Sequence, residues 1–91
     1  MTLGELLRAA TKRERAEIAE VCHDSVSYLY QLAGGHRYAS ALMACRIEAA
    51  TRKLALKHPS RFSQVPRETL VKYPEIYYSP EENRAADDEL H

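Results

Sequence analysis

The sequence predicts an all-α domain of four to five helices, followed by an extended, aromatic C-terminal segment. Three observations predict it. Apolar residues recur at three- and four-residue spacing from Leu3 to Leu54, the period of a helix that buries one face. The capping-box pattern T-x-x-E occurs twice, at Thr2–Glu5 and Thr11–Glu14, and marks two helix starts. The interruptions fall on residues that begin or end helices, namely Asp24-Ser25, Gly34-Gly35 and His58-Pro59.

The elements follow in order. Leu3, Leu6, Leu7 and Ala10 form the apolar face of a first helix. Ile18, Val21 and Cys22 form that of a second, with Ala16 and Ala19 small enough for close approach. Asp24 or Ser25 caps a third helix, Ser25 to Ala33, by accepting a free backbone N–H. Gly34-Gly35 ends this helix, because glycine reaches the left-handed conformation without strain. His36-Arg37-Tyr38 is a loop, and Met43, Ile47, Ala50 and Leu54 make the stripe of a fourth helix that ends near His58-Pro59. Pro66-Arg67-Glu68 opens at most one helical turn. Tyr73 to Tyr78 is expected to be extended, because Pro74 disfavours helix at Tyr73. The division is therefore a helical domain over 1–71 and an aromatic segment with an acidic, flexible tail over 72–91.

A chain of 91 residues holds one core, and a small one, so pairing of two copies would add useful burial. No run of 18 apolar residues exists, and Glu5 and Arg8 interrupt the stretch where a secretory signal would lie, so a cytoplasmic location is expected. Cys22 and Cys45 lie at helical spacing among apolar residues and read as reduced, packed thiols. Cys22, His23, His36, Cys45 and His58 lack the spacings of a structural zinc site, so no metal or other cofactor is expected. Cys22 and His23 are adjacent and diverge by about 100° on a helix, which argues against a nucleophile–base pair and against an enzyme. The net charge of zero conceals an asymmetry. Residues 1–61 hold ten Lys+Arg against six Asp+Glu, and residues 62–91 hold three against seven. A basic helical part with an acidic tail suggests a nucleic-acid partner.

Function concentrates in residues 15–35, where two short helices meet at a tight turn. Ala19 lies where the helices cross, and Leu29 and Leu32 face inward. Ser27, Tyr28 and Gln31 are then expected to face solvent, with Val26 at the edge. A helix with a short polar N-terminal face fits the major groove of B-DNA.

The spacing of Ala19, Leu29, Leu32 and Gly35 resembles the Cro and lambda-repressor-like helix-turn-helix family. The runs Ser25–Ala33, Gly35-x-Arg37 and Arg46–Thr51, with Val65–Leu70 as a short closing element, look like the YdaS-like branch of prophage regulators. The resemblance implies a transcriptional regulator, a repressor rather than an activator, that binds an inverted repeat of double-stranded DNA as a homodimer. It implies that Arg15, at the start of the second helix, and His36 and Arg37 hold phosphates. It further implies that Val26, Ser27 and Gln31 supply base contacts, with Ser25 an alternative DNA contact at the helix start, and that Tyr28 reaches a phosphate or a base. The sequence departs from the family at the turn, where His23 replaces a glycine and Asp24 an apolar residue. Tyr73, Ile76, Tyr77 and Tyr78, with Leu54 of the fourth helix, are candidates for the dimer interface, since tyrosine combines apolar area with a polar tip. Two other readings fit the sequence: an antitoxin whose acidic tail (79–91) binds a toxin or phage protein, and a helix-turn-helix module that binds only protein.

Overall fold

The structure, a computed structural model, describes residues 1–77. Tyr78 and the acidic tail over 79–91 lie outside the described residues. Four α-helices and no strand occur among the described residues: α1 (Leu3–Ala9), α2 (Lys12–Val21), α3 (Val26–Ala33) and α4 (Ala41–Lys57). Two short 3-10 turns follow, Arg67–Thr69 and Pro74–Tyr77. No helix among these residues is long and apolar enough to cross a membrane.

Each helix start is fixed locally. Thr2 and Thr11 close full capping boxes on Glu5 and Glu14. Ser25 and Ser40 each accept a backbone N–H, from Tyr28 and Met43, at 3.1 Å. Each cap satisfies a donor that the first helical turn would leave without a partner, and contributes about 1 kcal/mol. Ser25 is thus the cap of α3, not its first helical residue. Asp24 plays a supporting part instead: it is exposed, and its carboxylate accepts the Ser25 N–H at 2.7 Å.

The apolar stripes converge as their spacing requires. Leu6, Leu7, Cys22, Leu29 and Ile47 are fully or almost fully buried in one core. α3 packs on α1 and α2, and α4 packs on α2 from another side. Leu54 belongs to this core at 7% exposure, so little of it is left for a second chain to meet.

The segment after α4 contributes more than its sequence suggests. Phe62, Val65, Leu70 and Val71 are all buried in the same core. Two hydrogen bonds hold the segment down: the Val65 N–H donates to the Thr51 side-chain Oγ1 at 3.0 Å, and the Ala39 N–H donates to the Leu70 carbonyl at 2.8 Å. The Thr51 hydroxyl in turn donates to the Ile47 carbonyl at 2.9 Å, so this buried side chain is satisfied as donor and acceptor. Pro74–Tyr77 is a 3-10 turn rather than extended backbone. Proline's fixed φ and missing N–H suit the first position of such a turn, and the restriction on Tyr73 only places that residue before it.

Candidate nucleic-acid interface

The turn between α2 and α3 is built like the end of α3. At the end of α2, the N–H of His23 donates to Glu20 and that of Asp24 to Ala19, at 3.1 and 3.0 Å. At the end of α3, the N–H of Gly35 donates to Leu32 and that of His36 to Gln31, at 3.2 and 3.0 Å. Both are the paired bonds of a helix closed by one left-handed residue. That residue is Gly35 in one case (φ 76°) and His23 in the other (φ 57°). The histidine therefore accepts the glycine's conformation, and the turn keeps its geometry.

This fixes the phase of α3. Leu29 and Leu32 face the core, and so does Tyr28, which is only 7% exposed. Tyr28 is therefore not a solvent-facing side chain. It lies one position before Leu29 and shares the inward half of the helix, and burial raises its phenol above its ordinary pKa. Tyr30 takes the outward place, at 48% exposure. Ser27, Tyr30 and Gln31 stand at i, i+3 and i+4 and form one exposed face, with the half-buried Val26 beside it and the Ser25 cap at its N-terminal end. The sequence carried the signal for Tyr30 in its spacing from Ser27. With Leu29 and Leu32 inward, that spacing leaves Tyr28 beside the core and Tyr30 on the outward side.

α3 carries no charged residue, and Arg37 follows its C-terminal end. The Arg37 guanidinium lies 4.8 Å above the Tyr28 ring and donates to Gln31 Oε1 at 3.4 Å. Stacking on a buried ring restricts the arginine, which in turn steadies the amide. His36 is exposed beside it. Arg15 stands near the start of α2, as expected, with its side chain engaged within the chain. It is one turn inside α2, whose start is capped by Thr11, and its Nη1 donates to the carbonyls of Leu7 and Ala10 at 3.0 Å each. That arginine thus closes the C-terminal end of α1.

Tyr73 and Ile76 are exposed, at 60% and 52%. Tyr77 is half-buried, and its hydroxyl donates to the Ala41 carbonyl at 2.7 Å, which ties it to α4 within the chain. Cys22 is fully buried, and desolvation pushes its thiol up to about 11, so it stays protonated at neutral pH. The chain matches no family model, no curated protein and no solved structure.

Proposed function

We propose that the chain is a DNA-binding transcriptional regulator of the helix-turn-helix kind, with α2 and α3 as the reading unit and α3 in the major groove. One observation carries this reading: Ser27, Tyr30 and Gln31 form a single exposed, uncharged polar face on a short helix held from behind by two others. Such a face enters a polyanionic groove without repulsion and presents donors and acceptors to base edges. Gln31 reads one base pair, worth about 1–3 kcal/mol of discrimination. Ser25, Val26 and Ser27, at the helix start, contact neighbouring bases, and Val26 suits a thymine methyl. His36 and Arg37 hold phosphates at the other end of α3; Arg15 would do so only through N–H groups not aimed at α1. Two copies on an inverted repeat would place their reading helices about 34 Å apart.

The test is a gel-shift against the gene's own upstream DNA, at low and moderate salt, with random competitor. The reading predicts specific binding that weakens steeply with salt, because phosphate contacts release counterions. Binding no stronger than to the competitor at either salt overturns it.

A further inference from the structure

A groove of about 120 Å³ runs between α2 and α4, with no residue of α3 in its lining. Its floor is apolar, with Ile18 and Leu54 buried beneath and Val21 left 49% exposed. Its two banks differ in sign. The α2 bank carries Glu17, and the α4 bank carries Lys53 and Lys57. None of these three makes an ion pair among the described residues. Glu14, at one end of the α2 bank, is already held by Arg61 at 2.9 Å. The two helices run antiparallel along the groove: Glu14 near the start of α2 meets Arg61 just beyond the end of α4, while Arg46 lies near Cys22 at the end of α2.

We infer that this groove is where two copies of the chain pair, about a two-fold axis that runs along the groove. An interface between identical copies must be complementary to itself. With the axis along the groove, the α2 bank of one copy lies on the α4 bank of the other. Glu17 then faces Lys53 of the second copy, Lys53 faces its Glu17, and the Val21 side chains are covered. An axis across the groove sets glutamate against glutamate and lysine against lysine, which disfavours pairing. The charge pattern therefore selects one axis.

A second argument, which rests on the DNA-reading proposal, selects the same axis. α2 leaves the groove at Val21 and turns directly into α3. An axis along the groove preserves its ends, so both copies start α3 at the same end of the dimer, as a single DNA duplex requires. An axis across the groove sends the two helices to opposite ends. The exposed Tyr73 and Ile76 are the competing surface.

The experiment is sedimentation equilibrium of the full chain over a dilution series, without DNA. The wild type is expected to dimerise more weakly at high salt. Glu17→Lys and Lys53→Glu, both at exposed positions, each turn two attractive contacts repulsive and should weaken the dimer about tenfold or more. The double variant Glu17→Lys/Lys53→Glu restores opposite charges across the interface and should recover the dimer. Circular dichroism melts check that all three remain folded. A monomeric wild type, single variants that pair normally, or a double variant that fails to recover overturns the inference. So does loss of the dimer in Tyr73→Ser/Ile76→Ser with the groove variants unaffected, which assigns pairing to the C-terminal segment. A rescued dimer that binds no DNA leaves this interface standing and removes the DNA reading instead.

Discussion

Residues 3–57 form helices that each carry their own start signal, in Thr2, Thr11, Ser25 and Ser40, whereas residues 59–77 hold two 3-10 turns and no periodic stripe. Yet the second region places four apolar side chains in the core beside those of the helices. The first region is ordered by bonds between residues three or four apart. The second is ordered by bonds that span the chain, such as Val65 to Thr51 and Ala39 to Leu70. The helices thus supply a surface that is complete only when the following segment closes over it.

The strongest way to break this comparison is to remove the closing segment's anchor. Phe62→Ala should cost about 3–5 kcal/mol in urea denaturation, as expected for an aromatic ring lost from a core. A cost near zero would mean that the segment merely lies on a finished domain. Thr51→Val, which keeps the shape and deletes the hydroxyl, should cost about 1–3 kcal/mol because the buried Val65 N–H loses its acceptor. Thr51→Ser should recover most of that loss.

Acid provides a smaller probe of the same junction. Glu14 caps α2 and takes two hydrogen bonds from Arg61 of the closing segment, and these hold its carboxyl down at about 2, with Arg61 the main cause. A carboxylate held lower in the folded chain than in the unfolded one stabilises the fold above its unfolded pKa. That contribution is lost as pH falls from about 4.5 toward 2. Glu14→Gln should flatten the stability profile across this window, and an unchanged profile would contradict the pairing.

The smallest effect compares the two left-handed residues. His23→Gly should stabilise the chain by up to about 1 kcal/mol, and Gly35→Ala should destabilise it by about as much. A Cβ at Gly35 meets nothing within 4 Å, so the second change reports backbone conformation alone. Equal and opposite shifts in thermal melts would show that both turns follow one geometry.

The difference between the regions also explains what the sequence made legible. Both capping boxes, the stripe of α4 and the glycine stop of α3 depend on neighbouring residues, and each was readable. The burial of Phe62, Val65, Leu70 and Val71 depends on surfaces from distant helices, so no local pattern announced it. At the site, the spacing puts Ser27 and Gln31 on the exposed face, as found, whereas Tyr28, expected beside them, is buried and Tyr30 stands there instead. With Leu29 and Leu32 inward, a step of about 100° per residue sets Tyr28 beside the inward face and Tyr30 on the outward side, so the spacing alone separates the two rings. For Arg15, the pattern gives the helix start but not the partner. Its distance from the Thr11 cap sets its direction, and that direction is toward the carbonyls that end α1.

The central claim is that the outward face of α3 reads DNA sequence. Selection of binding sites from randomised duplexes, with wild type and Gln31→Ala side by side, tests it most directly. The account predicts that the wild type enriches an inverted repeat and that the variant loses preference at one base pair in each half-site while keeping the rest. Selection of the same sites by both proteins, with the variant merely weaker everywhere, would contradict it.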